Sequence, residues 1–265
     1  MDGSRGGVFQ ALAALMSMHR FYLEPGRWVS ECPELDDPDS HHCADVLRLG
    51  AGDRIVIFDG RGMVAEAELL EVHRKRCALR IGTPHQTPPL RCAITLAQAV
   101  PKGKNMDLIL QKGVELGAAE IVPLLTARTI VRIDSADDGE HKRERWQQIA
   151  LEACKQCGRN SVPRVANPST LEQFLARVSA ADLLLLASLQ PDASPIKEVL
   201  AEHSDAIGGL PDSVAVLVGP EGDFTPAEIA LLKQAGARSV TLGPTILRAE
   251  TAALYCLSVL GHELF

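Results

Sequence analysis

Val214-Ala215-Val216-Leu217-Val218-Gly219-Pro220-Glu221-Gly222-Asp223-Phe224-Thr225-Pro226-Ala227-Glu228 is the stretch on which the fold turns. It opens with a short unbroken apolar run rich in β-branched valine, which reads as a strand buried on both faces, as in a parallel sheet. It closes with a capping box, Thr225 and then Glu228, with Pro226 in the first turn, so a helix must follow. The connection between them holds two glycines around a Pro-Glu pair. Strand, glycine loop and helix together make one α/β unit.

The same alternation continues outward. The helix stops at Gly236, a strand covers 239–242, and a final helix covers 249–260. Upstream, Leu183–Ala187 is a buried strand, and Ser194-Pro195 is placed to cap the helix after it. Residues 92–97 and Glu120–Leu124 are further strands. Asn105 is placed to cap a helix over 105–116 that Gly117 stops, and 141–157 is a helix with a mostly polar face. Alternation of this kind predicts an α/β layer fold with a mainly parallel sheet over residues 90–265.

Residues 82–89 contain Pro84, Pro88 and Pro89 and form a stiff linker. Before it the texture is β-rich. A strand at Arg54–Phe58 meets Asp59-Gly60, a hairpin signal, and return strands follow over 63–70 and 77–81. A short helix is expected over 40–49, ending at Gly50. These elements predict a small β-barrel-like domain over 18–85. Residues 1–17 carry an apolar run without a convincing secretory cleavage pattern, and Met18 reads as a natural start. They are taken as a mis-assigned start or an extension.

The chain has 265 residues, 46% of them hydrophobic, and a net charge of −7. No apolar run approaches the roughly 20 residues that span a bilayer, so no membrane association is expected. The acidity is uneven: residues 91–164 carry 12 Lys+Arg against 9 Asp+Glu, within an otherwise acidic chain. Lys102, Lys104, Arg159 and Arg164, with Arg20 and Arg48 from the first domain, are candidates for a phosphate-binding surface; a solvated helical face is the competing account. The 7 cysteines are scattered, as in a reducing cytoplasm. Cys154 and Cys157 form a lone CxxC without the second pair that a structural zinc site needs, so no metal is expected.

Ligands of parallel α/β sheets bind beyond the carboxyl ends of the strands. Three such ends are distinctive: Ala187-Ser188-Leu189-Gln190, the loop beginning Gly219-Pro220, and Gly243-Pro244-Thr245-Ile246-Leu247-Arg248. None is a dinucleotide fingerprint or a Walker-type phosphate loop. Arg248 stands at the start of the last helix, against the helix dipole. Such a placement calls for a partner: Glu221, Glu250 or an anionic group on a substrate.

Gly219-Pro220-Glu221-Gly222, Leu242-Gly243, Ile246-Leu247-Arg248 and Glu250-Thr251-Ala252 resemble the cofactor motifs of the RsmE family, ribosomal RNA uridine-N3 methyltransferases of the SPOUT superfamily. His42, Val46-Leu47-Arg48 and Phe58-Asp59-Gly60 resemble its PUA-like domain. Lys102-Gly103-Lys104, Lys112-Gly113-Val114-Glu115-Leu116-Gly117 and Gln156-Cys157-Gly158-Arg159 resemble its central signatures. The likeness spans roughly residues 18–262.

The resemblance implies a SPOUT domain with a deep trefoil knot, S-adenosylmethionine as cofactor, and a cytoplasmic homodimer with its active site near the subunit interface. It implies a target at N3 of a uridine in small-subunit (16S) ribosomal RNA, free or assembled. The cofactor residues it implies are Ala187, Ser188, Leu189, Gly219, Pro220, Glu221, Gly222, Leu242, Gly243, Ile246, Leu247 and Thr251, with Arg248 and Glu221 as catalytic candidates. A methyltransferase for another RNA position and a non-catalytic RNA-binding assembly factor are the alternatives. In one place the chain departs from the family pattern: Asp223 stands where a second glycine is common.

Overall fold

The computed structural model describes residues 18–131, 133, 135–178 and 181–265. Residues 1–17 lie outside the described residues. The chain divides into two units, one of residues 1–89 with 154–162, the other of residues 90–153 with 163–265. Segment 154–162 therefore departs from the division expected from the sequence, which assigns it to the second domain.

In the first unit, β1 (Arg20–Tyr22), β2 (Arg54–Phe58), β3 (Met63–His73) and β4 (Arg76–Ile81) pair in that order, and β5 (His85–Gln86) pairs with β3. The linker thus contributes a short strand. β1 and β4 share no ladder among the described residues, so the strands of the expected barrel-like domain pair as one five-stranded sheet. The β2–β3 hairpin forms at Asp59-Gly60 as expected. Asp59 Oδ1 accepts the N–H groups of Arg61 (2.7 Å) and Met63 (2.9 Å), an Asx-type turn that fixes the register Phe58↔Val64. Phe21, Leu23, Leu35, Ile55, Ile57 and Leu69 form the core.

The helix expected over 40–49 begins earlier. α1 (Asp37–His41) starts at Asp36, whose side chain accepts the Asp39 N–H at 2.8 Å, with Pro38 in its first turn. It widens into a π-turn over His42–Val46, and Arg48, at φ 57, ends it before Gly50 can.

In the second unit, β6 (Ala93–Ala99), β7 (Glu120–Leu124), β8 (Arg164–Val165), β9 (Leu183–Ala187), β10 (Ser194–Pro195), β11 (Ser213–Val218) and β12 (Arg238–Thr241) form a sheet in the order β10-β12-β9-β11-β6-β7-β8. Every described pairing in it is parallel. Among the described residues five helices lie between these strands, α2 (Asn105–Glu115), α3 (Ala136–Cys157, whose last residues from 154 fall in the first unit), α4 (Leu171–Val178), α5 (Ile196–Ile207) and α6 (Pro226–Gln234), and α7 (Ala249–Leu264) follows the last strand.

Ala215 and Leu217 of β11 face a core shared with Leu171 and Phe174 of α4 and Leu232 of α6. Val214 and Val216, of opposite parity, are also buried, as befits a strand covered on both faces. α7 packs over β6 and β11 and against α2.

Several boundaries differ from expectation for local reasons. α3 begins at Ala136 rather than 141, because Ser135 Oγ accepts the Asp138 N–H and Asp137 and Asp138 complement the dipole of the first turn. Ser194 does not cap α5: Ser194-Pro195 instead pair with Val240 and Thr241. Asn105 is inside α2, and its Nδ2 donates to Glu250 Oε2 at 3.2 Å. α4 was not expected, although Leu171, Phe174, Leu175 and Val178 carry the i, i+3, i+4, i+7 spacing of an amphipathic helix. The capping box on α6 is present as read, with Thr225 and Glu228 each satisfying the other's backbone.

Candidate functional site

β9 lies between β12 and β11, so the loops that follow these three strands open side by side. Together they enclose a cavity of about 280 Å³, mostly apolar in its lining. Ala187, Ser188, Leu189, Gly219, Pro220, Glu221, Leu242, Gly243, Ile246, Leu247 and Arg248 all line it.

Gly222 and Thr251, expected with them, do not line it. Thr251 is exposed on the first turn of α7, and Gly222 lies under the side chain of Arg128. Val218, Asp223, Thr245, Ala249 and Ala252 also line the cavity, although none of them is among the twelve expected cofactor residues. Ala249 and Ala252 are three apart on α7, and in the sequence their small buried side chains are indistinguishable from ordinary helix core.

The local geometry explains the loop residues. Ser188 donates its backbone N–H to Val240 O at 3.0 Å, and its Oγ accepts the Gln190 N–H at 3.1 Å, which turns the chain at the end of β9. A Cβ at Gly219 would lie 3.2 Å from Asp223 Oδ1 and 3.3 Å from the buried Phe224 ring. Glycine is needed there for packing within the loop as well as for a bare wall.

Asp223 has φ 59, in the left-handed region that favours glycine but that aspartate tolerates better than most residues. Its Oδ1 accepts the Phe224 N–H at 2.7 Å. The departure from the family pattern thus keeps the glycine-like backbone and adds a polar brace.

Arg248 is exposed at the cavity edge. Among the described residues its guanidinium has no hydrogen-bond or ion-pair partner. Both intramolecular partners suggested by the sequence are engaged elsewhere. Glu221 Oε1 accepts the Lys102 N–H at 2.9 Å, and Glu250 accepts from Asn105. Large apolar side chains are also left bare at the rim: Leu189 is 60% exposed and Ile246 81%. A cavity with apolar walls, bare apolar edges and one unpaired cation suits a flat heteroaromatic ligand and an anionic reacting group.

The six cations expected to form an RNA surface separate into different settings. Lys102 and Lys104 are exposed in the loop after β6, next to the cavity through the Glu221–Lys102 bond. Arg164 lies at the β8 edge of the sheet, in a second, more open cavity with Arg143 and Arg177, and shares Glu120 with Arg177. Arg48 is exposed in the first unit.

Arg20 does not present itself to solvent. Its Nη2 donates to Asn160 Oδ1 and to Arg159 O, and its guanidinium sits 5.1 Å from the Phe58 ring centroid. Burial lowers the pKa of Arg20 and of Arg159. Arg20 therefore fastens segment 154–162 within the first unit, a role that its sequence neighbours do not signal.

A parallel sheet with a cavity built from three loops at adjacent strand ends is a ligand-binding arrangement, and the family models place the chain among RNA methyltransferases. Residues 88–261 match the family model described as an RNA methyltransferase domain, and residues 35–82 match the RNA methyltransferase PUA domain. The chain belongs to the ribosomal RNA small subunit methyltransferase E family. It is 34% identical over 252 residues to that protein from Bacillus subtilis, covering 93% of this chain and 97% of the relative.

A methyltransferase from Legionella pneumophila, solved with its cofactor S-adenosylmethionine bound, superposes with a TM-score of 0.82 at 33% identity, over 93% of this chain and 98% of that one. The ribosomal RNA small subunit methyltransferase E of Neisseria gonorrhoeae, bound to S-adenosylmethionine, gives 0.80 at 33% identity, over 92% and 96%. Among the described residues no helix is long and apolar enough to cross a membrane.

Proposed function

We propose that the protein transfers a methyl group from S-adenosylmethionine to N3 of a uridine in small-subunit (16S) ribosomal RNA. The observation that carries this is the partnerless Arg248 at the edge of a cavity formed by three family-type loops. The residues that line the cavity fit the cofactor. Leu189, Leu242, Ile246, Leu247 and Ala252 offer apolar surface for an adenine ring, and the strand ends at Ala187, Val218 and Leu242 offer backbone groups to its polar edge. When bound, S-adenosylmethionine supplies an electrophilic methyl carbon.

The chain's own residues orient and exclude water. N3 of uridine carries a proton at neutral pH; its transfer to solvent water leaves negative charge on the uracil, which is discharged when N3 bonds to the methyl carbon as the bond from that carbon to sulfur breaks. Arg248 meets that charge with a guanidinium that no carboxylate among the described residues neutralises. Glu221, a catalytic candidate from its position, instead holds the backbone of Lys102 and so fixes the basic loop beside the cavity. Lys102 and Lys104 contact RNA phosphates there. The protein acts in the cytoplasm as a homodimer whose C-terminal domain carries the trefoil knot of its superfamily, on free or assembled small-subunit RNA.

The test is to incubate the protein with methyl-labelled S-adenosylmethionine and small subunits from a strain lacking the enzyme, then map the modified nucleotide. A single labelled uridine carrying a 3-methyl group is expected. Label on any other base, or none despite cofactor binding, would refute the assignment.

A further inference from the structure

Arg128 lies outside the cavity and outside every motif considered so far, yet it holds the loop that forms one of the cavity walls. The chain reverses at Pro220–Asp223, where the Asp223 N–H donates to Pro220 O at 2.9 Å. Pro220, Glu221 and Asp223 line the cavity. On the outer side of the turn, Arg128 Nη1 donates to Gly222 O and, at 3.5 Å, to Phe224 O. The stem of Arg128 covers Gly222: a Cβ there would lie 3.3 Å from Arg128 Cδ and 3.5 Å from Arg128 Cβ. A side chain at Gly222 would therefore press on the stem of Arg128.

The arginine itself stands on a braced turn. The Thr129 N–H donates to Thr126 O at 3.0 Å, and the Thr126 N–H donates to Thr129 Oγ1 at 3.0 Å. The Ala127 N–H donates to Glu228 Oε1 at 2.8 Å, and Glu228 also belongs to the capping box of α6. The loop after β7 is therefore anchored to the helix that follows the cavity loop, and it aims one guanidinium at two carbonyls of that loop. Both bonds come from the one nitrogen Nη1, so a lysine ammonium that reached the same place would make part of them.

We propose that Arg128 is a positioning residue that sets the 220–223 turn for cofactor binding. The inference rests on the assignment of the cavity to S-adenosylmethionine. It acts on cofactor affinity and leaves RNA recognition alone. Gly222 and Arg128 act as one unit, so their substitutions are not additive.

The experiment is calorimetry with S-adenosylmethionine on the wild type, R128A, R128K, G222A, R128A/G222A and, as a control for the cavity itself, G219V. Steady-state methylation accompanies it, with each substrate varied in turn. R128A is expected to weaken cofactor affinity about tenfold. Its KM for RNA and its kcat at saturating cofactor should stay near wild type. R128K should recover part of the affinity, which a purely structural filler would not require. G222A should weaken binding in the wild type and add nothing in R128A.

Wild-type affinity in folded R128A overturns the proposal, and so does a G222A penalty of equal size in both backgrounds. If R128A does not fold, R128K and G222A carry the same test, and unchanged affinity in both overturns it. If G219V binds as tightly as the wild type, it is the cavity assignment that fails, and Arg128 is not implicated.

Discussion

Arginine does opposite things in two regions of this molecule. At the cavity edge Arg248 is exposed, and among the described residues it has no hydrogen-bond or ion-pair partner. In the first unit Arg20 is half-buried over Phe58 and hydrogen-bonded to residues 159 and 160. Both were candidates for contact with RNA or its bases. What separates them is that the Arg20 guanidinium is part-buried and bonds through Nη2 to neutral oxygens of residues 159 and 160, whereas the Arg248 guanidinium is exposed with no partner among the described residues. A paired, desolvated guanidinium is structural, and moving it to a substrate would leave its partners unmet; an unpaired one at a cavity is available for charge that arises only during reaction.

The largest effect should fall on Arg248. Arg248→Ala is expected to keep its melting temperature and most of its cofactor binding, yet lose about 10²–10³ in single-turnover rate, as when one electrostatic contact to a transition state is removed. Lysine should rescue only part of this. A destabilised Arg248→Ala protein with a wild-type single-turnover rate would erase the contrast with Arg20.

Arg20→Ala should behave in the reverse manner. Loss of a part-buried, charge-assisted bond to Asn160 and of the contact with Phe58 should cost about 2–3 kcal/mol of stability, read by denaturant unfolding. The salt dependence of RNA binding should not change. Wild-type stability with a flatter salt slope would return Arg20 to the RNA surface.

A smaller effect is expected from Lys102→Ala/Lys104→Ala, which removes exposed charges beside the cavity. The slope of log K against log salt should fall by about 1.5, with affinity lost evenly across RNA sequences. An unchanged slope would make them ordinary solvated lysines.

The smallest effect concerns the thiols. Burial pushes Cys154 and Cys256 up to about 12, so at pH 8 both remain protonated and poor nucleophiles. Cys32 is exposed. Alkylation at pH 8 should modify Cys32 first with no loss of activity, and early labelling of Cys154 would show that segment 154–162 opens readily.

Much of the second unit was legible because its signals are short-range. The valine run of β11, the capping box at Thr225 and Glu228 and the glycine loops each declare themselves within a few residues. The errors also have local causes: Ser135, Asp36 and Ser194 are all plausible caps, and only the competing partners decide which of them act. In the site, ten of the twelve expected cofactor residues line the cavity. Gly222 does not line the cavity; its glycine signature is the same whether the neighbour is a ligand or the stem of Arg128.

By itself the sequence determined the alternation of strands and helices, the loops that matter and the family to which the chain belongs. It did not determine which charges are free. Glu221 finds the backbone of Lys102 across 119 positions, Arg128 finds Gly222 across 94, and Arg20 finds Asn160 across 140. Periodicity and capping operate within a turn or two of the chain, so they carry no record of such pairings. Tertiary packing alone places those atoms within hydrogen-bonding distance, and with them decides that Arg20 bonds to Asn160, that Glu221 bonds to the backbone of Lys102, and that Arg248 is left without a hydrogen-bond or ion-pair partner among the described residues.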